Sequence, residues 1–206
     1  MDNLSKNNVD IHNTNPCEEL NYHGTLNATS PETGANYGYP DCFAAWDPSV
    51  IPNNANIKVG TQFAIGTNSD APCANRVAPK LCFPAHTAPL GVRFNPNSTA
   101  AYISFHGSWY VLRQHLLLNM TTTDTPGRNR SPPDGYRLSK IVFDPSTGMP
   151  TELSTSNKAA INVMSNPNNA NCPNRCFRPA DVAFDNKGRL FMTSDTTNEV
   201  WVIGGA

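Results

Sequence analysis

Short apolar runs alternate with Asn-, Ser-, Thr-, Gly- and Pro-rich stretches along the chain, and the clearest of them sit near its C-terminal end. Asp181-Val-Ala-Phe184 predicts a strand, Asp185-Asn-Lys-Gly188 a tight turn, and Arg189-Leu-Phe-Met-Thr193 the returning strand. A loop over 194–198 then leads to a third strand, Glu199-Val-Trp-Val-Ile203. The same grammar occurs earlier: Leu90-Gly-Val-Arg-Phe94, the turn 95–99, Ala101-Tyr-Ile-Ser-Phe105, a loop opening at His106-Gly-Ser-Trp109, and a strand over 136–143. Two copies of strand–turn–strand–loop–strand predict blades of an all-β propeller.

Alternate loops of an up-and-down meander emerge at opposite ends of the blade. The turns 95–99 and 185–188 therefore share one end. The His106–Trp109 loop, Ser194-Asp195, and the segments entering each first strand (Pro84-Ala-His86 and Phe177-Arg-Pro179) share the other. Strand order alone thus predicts His86, His106, Trp109, Arg178 and Asp195 at a common rim.

One segment breaks the pattern. Tyr110-Val-Leu-Arg-Gln-His-Leu-Leu-Leu-Asn-Met120 is helix-like and interrupts a β-loop. Residues 110–128 read as a retained intron translated in frame: a TGG tryptophan followed by Tyr-Val can create a GTATGT donor, and an AGG Arg128 the acceptor. A genuine surface insertion is the competing account.

A net charge of −1 gives no reason to expect nucleic acid or an anionic membrane as partner, and no apolar run reaches the 18 or more residues a membrane-spanning helix needs. The six cysteines form no CxxC pair, so disulfides are the better reading than zinc. Cys172–Cys176 and Cys73–Cys82 are the local candidates, and Cys17 is a candidate partner of Cys42. Together with sequons at Asn3, Asn27 and Asn97 they point to secretion, yet the chain opens without a signal-peptide pattern, which predicts a missing upstream segment.

Glu18-Glu-Leu-Asn21 and Asn36-Tyr-Gly-Tyr-Pro40, followed in order by Ala85-His-Thr-Ala-Pro-Leu-Gly91, Phe105-His-Gly-Ser-Trp109 and Arg178-Pro-Ala-Asp-Val182, resemble the signatures of soluble quinoprotein sugar dehydrogenases. The nearest subgroup is the fungal pyranose dehydrogenase and sorbosone dehydrogenase-like family. Joining Trp109 to Asn129 restores that family's continuous motif. The resemblance implies about three blades of a six-bladed ring, the C-terminal half of a longer domain. It places an Arg-Asn cofactor pair upstream of Met1, and so an internal methionine taken as the start.

The resemblance further implies pyrroloquinoline quinone and calcium as cofactors, and oxidation of an aldose or pyranose hydroxyl by hydride transfer to the quinone. Electrons would pass to an external acceptor, such as a cytochrome domain. Cofactor carboxylates need fixed cations, calcium needs hard oxygen ligands, and the hydroxyl proton needs a base. His106 is the candidate base; Arg178, Arg130, Trp109 and His86 are candidate cofactor contacts. Asn13 and Thr14, through carbonyls, and Glu18, through its carboxylate, are candidate calcium ligands. Arg178 could instead pair with Asp181 or Asp195, and His86, His106 and Trp109 could instead only order their loops. The rival functions are a non-catalytic carbohydrate- or protein-binding propeller and an inactive truncated product.

Overall fold

The computed structural model describes residues 4–108, 132–173 and 175–204. Trp109, Arg130 and the 110–128 segment lie outside them. The described part is built from strands, with single turns of 3-10 helix between them. In the first half, β1 (Ser5–Lys6) pairs with β2 (Val9–Asp10), β3 (Glu18–Leu20) with β6 (Leu81–Phe83), and β4 (Cys42–Ala44) with β5 (Gln62–Ala64). These pairs are short because Pro, Gly and Asn recur every few residues and end each ladder.

The second half carries the longer ladders. β7 (Pro89–Phe94), β8 (Ala100–Phe105) and β9 (Arg137–Asp144) form an antiparallel meander, with β10 (Met149–Pro150) and β11 (Ile161–Ser165) both paired to β9. β12 (Pro179–Phe184), β13 (Leu190–Ser194) and β14 (Glu199–Ile203) make the next meander. These match the two repeats read from the alternation, with boundaries shifted by a residue or two.

The sheets stack through their apolar faces. Tyr102, Leu138, Val182, Leu190 and Met192 bury one seam, and Leu81, Phe83, Ile103, Phe105 and Ile141 another. Between the meanders, Gly91 permits close approach: a Cβ there would stand 3.0 Å from the Asp181 Cα and 3.0 Å from Ser104 Oγ. Buried Ser104 fills the gap, accepting from the Gly91 N–H at 2.8 Å and donating to the Ala180 carbonyl.

Three disulfides close within the described residues: Cys17–Cys82, Cys42–Cys73 and Cys172–Cys176. The last agrees with the local expectation, whereas the Cys73–Cys82 and Cys17–Cys42 pairings are corrected. The reason is strand pairing. β3 lies against β6 with Glu19 opposite Cys82, which brings Cys17 to that sulfur. β4 lies against β5 beside the 3-10 turn Ala71–Asn75, which brings Cys73 to Cys42.

Candidate functional site

The β7–β8 register puts Pro89 opposite Phe105, so the segment entering β7 and the loop leaving β8 lie at one end of the sheet. The His106 N–H donates to the Ala88 carbonyl at 3.0 Å and the Gly107 N–H to Thr87 at 2.9 Å. Pro179 faces Ser194 in the β12–β13 ladder, so Arg178 and Asp195 flank the same end of the neighbouring sheet, and the Asp195 N–H donates to the Arg178 carbonyl. The turns 95–99 and 185–188 close the opposite ends.

At the junction stands an Arg178–His106–Asp195 chain. Arg178 is buried, with 5 % of its surface exposed. Its guanidinium donates to His106 Nδ1 at 3.0 Å and reaches the His106 and Gly107 carbonyls at 3.4 and 3.3 Å. A guanidinium only donates, so Nδ1 carries the lone pair and the ring proton sits on Nε2. Nε2–H then donates to Asp195 Oδ2 at 2.8 Å. The His106 side chain is 16 % exposed and Asp195 51 %, so the chain runs from interior to mouth. Burial pushes the Asp195 carboxyl upward, but the His106 hydrogen bond and the Arg178 charge outweigh it and hold it below its ordinary range.

Beneath Arg178 lies the ring of Tyr136, 5.9 Å from the guanidinium carbon. The Tyr136 hydroxyl donates to the Ser108 carbonyl, and burial raises its pKa. Two glycines make this packing possible. Gly107 has φ +99°, and a Cβ there would fall 2.6 Å from the Tyr136 ring; Gly135 has φ +97°, and its Cβ would fall 2.4 Å from the Gly107 Cα. Ser108 and Asp134 are bonded in both directions, Ser108 N–H to the Asp134 carbonyl at 2.9 Å and Asp134 N–H to Ser108 Oγ at 3.1 Å. Ser108 and Asp134 therefore stand side by side.

The same rim continues toward the chain's beginning. The Ala88 N–H donates to Glu18 Oε1 at 3.4 Å. Burial raises the Glu18 carboxyl above its ordinary 4.5, against the lowering effect of the Ala88 and His86 N–H groups. His86, at φ +62°, donates from Nε2 to the His12 carbonyl at 2.5 Å. His12 in turn meets Asp10 through Nδ1 at 2.6 Å.

Among the predicted residues, the structure thus joins His86, Glu18, His106 and Arg178 with Asp195 in one hydrogen-bonded rim. Asn13 and Thr14 lie in the loop just after His12, whose carbonyl His86 grips. Among the described residues no three His, Cys, Asp or Glu side chains cluster as a metal set. A cation here would depend on carbonyl oxygens with Glu18, a donor set suited to a hard ion such as calcium. The residues fit one in a second way, since positive charge would offset the burial of the Glu18 carboxylate.

Two features escaped the sequence reading. Tyr136, read only as the start of a strand, is the platform under Arg178; its position directly after Gly135 in a turn was the available signal. His12 was passed over in favour of Asn13 and Thr14, although its neighbour Asp10 marked it as a paired imidazole.

Antiparallel meanders stacked face to face, with charged loops gathered at one end, define the class: a section of a β-propeller. The chain belongs to the TrAA12-like family, whose model matches residues 1–206. It is 38 % identical over 208 residues to a pyrroloquinoline quinone-dependent sugar dehydrogenase of Hypocrea jecorina, covering 98 % of this chain and 42 % of that protein. It is 33 % identical to a pyrroloquinoline quinone-dependent pyranose dehydrogenase of Coprinopsis cinerea, covering 94 % of this chain and 26 % of that protein.

Among solved structures, a calcium structure of a Trichoderma reesei carbohydrate-active enzyme of family AA12 superposes with a TM-score of 0.83 at 40 % identity, over 98 % of this chain and 46 % of that one. The holo form of the pyranose dehydrogenase PQQ domain from Coprinopsis cinerea gives 0.77 at 32 % identity, over 98 % of this chain and 48 % of that one. The chain spans less than half the length of the relatives it matches.

Proposed function

We propose that this chain is part of a secreted oxidoreductase that oxidises an aldose or pyranose hydroxyl using pyrroloquinoline quinone and calcium. In this reading the rim of Glu18, His86, His106, Arg178 and Asp195 is its share of the cofactor site. The observation that carries the reading is the Arg178–His106–Asp195 chain, in which segments far apart in sequence place a buried cation behind an imidazole at a mouth. The relatives' cofactor and the calcium structure support the same chemistry. The disulfides support secretion.

Oxidation of the hydroxyl releases a hydride from carbon and a proton from oxygen; bound quinone supplies the hydride acceptor, and calcium polarises it. The remaining tasks fall to the chain. Arg178 gives the rim a fixed positive charge that attracts cofactor carboxylates, and it sets the tautomer of His106. His106 presents Nε2–H toward the mouth and exchanges Asp195 for an incoming oxygen. With Nδ1 held by Arg178 and its one ring proton on Nε2, His106 orients that oxygen by donation, and the Asp195 carboxylate beside it, rather than His106 itself, takes the substrate proton. His86 holds the loop after Ile11, so that carbonyls of Asn13 and Thr14 and the Glu18 carboxylate gather for calcium. Trp109 and Arg130, outside the described residues, stay candidates for further cofactor contacts, a ring and a second cation. Electrons leave to an external acceptor, such as a cytochrome domain.

The test is a dye-reduction assay with an aldose and pyranose panel, in a protein carrying this segment within a ring of its relatives' length. Sugar-dependent reduction that requires both the quinone and calcium is expected. Its absence across the panel would overturn the reading.

A further inference from the structure

Asn97-Ser98-Thr99 is an acceptor triplet for N-linked sugar, with a residue other than proline at its middle. It forms the tip of the β7–β8 hairpin, at the end of the sheet away from Arg178, His106 and Asp195. Two hydrogen bonds close the turn, Asn95 N–H to the Ala100 carbonyl at 2.9 Å and Ser98 N–H to the Asn95 carbonyl at 2.9 Å. Asn97 itself is exposed. Its Oδ1 accepts from the Thr99 hydroxyl at 2.7 Å and from the Thr99 N–H at 3.4 Å, which fixes the amide. The other end, Nδ2, is the atom that carries sugar, and it makes no hydrogen bond among the described residues.

Three residues before Asn97 stands Phe94, the last residue of β7, with 49 % of its surface exposed. Its ring is held edge to face against Phe143, with centroids 4.8 Å apart. It borders a hollow of about 300 Å³ that Tyr22 and Pro150 also line. The face of an aromatic ring is negative, so it attracts the weakly positive C–H face of a pyranose. An exposed ring fixed one residue from a sugar-acceptor turn is thus a platform for what the turn carries. The other triplets lack one. Asn27, also exposed, has Gly24 where Asn97 has Phe94, and Asn3 lies outside the described residues.

We propose that Asn97 bears an N-linked glycan whose first sugar, an N-acetylhexosamine, lies on Phe94. In the transfer, Asn97 Nδ2 bonds to the anomeric carbon of an oligosaccharide held as a lipid pyrophosphate. The anomeric C–O bond breaks, the lipid pyrophosphate leaves with its electron pair, and the Nδ2 proton passes to a base of the transferring enzyme. The modification rests on the secretory route proposed above, where that donor is found.

The experiment takes a protein carrying this segment in a complete ring, exported from a eukaryotic host behind a supplied leader peptide, so that occupancy is read apart from the chain's own export. Mass spectrometry of the Asn97 peptide, before and after enzymatic removal of N-glycans, should show a glycan that N97Q and T99A both lose. Trimming to one sugar should leave the thermal midpoint unchanged, and N97Q should lower it by about 1–2 °C. In an F94A background N97Q should lower it no further. Should F94A not fold, the first sugar's protons in the unaltered protein give the same reading, since stacking on Phe94 shifts them upfield. An unmodified Asn97 in exported protein overturns the proposal and leaves the secreted assignment standing. An equal drop with and without Phe94, or sugar protons at their free positions, overturns it too.

Discussion

Replacing Arg178 with methionine keeps most of the side-chain volume and removes the guanidinium. The His106 Nδ1 bond at 3.0 Å is then lost, and with it the longer contacts to the His106 and Gly107 carbonyls. Hydrogen bonds to a charged donor contribute about 1.5–3 kcal/mol each. The two carbonyl contacts are long and count for little, and Met recovers some packing over Tyr136. A net loss of about 2–3 kcal/mol follows for R178M. Urea unfolding followed by tryptophan fluorescence measures it, provided the slope with denaturant is unchanged. In R178M the His106 tautomer is also released, so its ring signals should shift in a nitrogen-detected NMR spectrum. A loss below about 0.5 kcal/mol with an unmoved His106 spectrum would refute the claim that Arg178 organises the rim.

Three further outcomes follow from the same geometry. Because burial raises the Glu18 carboxyl, its ionised form costs stability, and that cost grows as pH rises from 4.5 through the folded value; E18Q should therefore be the more stable protein at pH 7 in chelator and lose that advantage at pH 4, while calcium should raise the melting temperature of wild type only. Gly107→Ala should cost about 1–3 kcal/mol from the backbone alone, and more through the Tyr136 ring it meets, read as a lower melting temperature. Joining Trp109 directly to Asn129 should leave the melting temperature equal or higher, since Ser108 and Asp134 already hold the flanks together; a large drop would identify residues 110–128 as part of the fold.

The blades were legible because their strands obey a period of two and are separated by turn residues. Both the pairing of β7 with β8 and that of β12 with β13 follow from Phe94-Asn-Pro-Asn and Phe184-Asp-Asn-Lys-Gly. The common rim was legible for the same reason: loop parity in a meander places His106 and Arg178 together before any contact is known. The local Cys172–Cys176 disulfide was legible but the two long-range pairings were not, since Cys17 and Cys82 meet through two three-residue strands too short to announce their register. Nor was the orientation of Arg178 visible. Position put it at the mouth, but in the fold it is turned inward onto His106 rather than outward.

Calorimetric titration of pyrroloquinoline quinone with calcium, into a protein carrying this segment in a complete ring and into its R178M variant, bears most directly on the account. One equivalent should bind to the first, and at least tenfold more weakly to the second. Equal affinity for both would separate the buried guanidinium from cofactor capture and leave the propeller without the role assigned to its charged end.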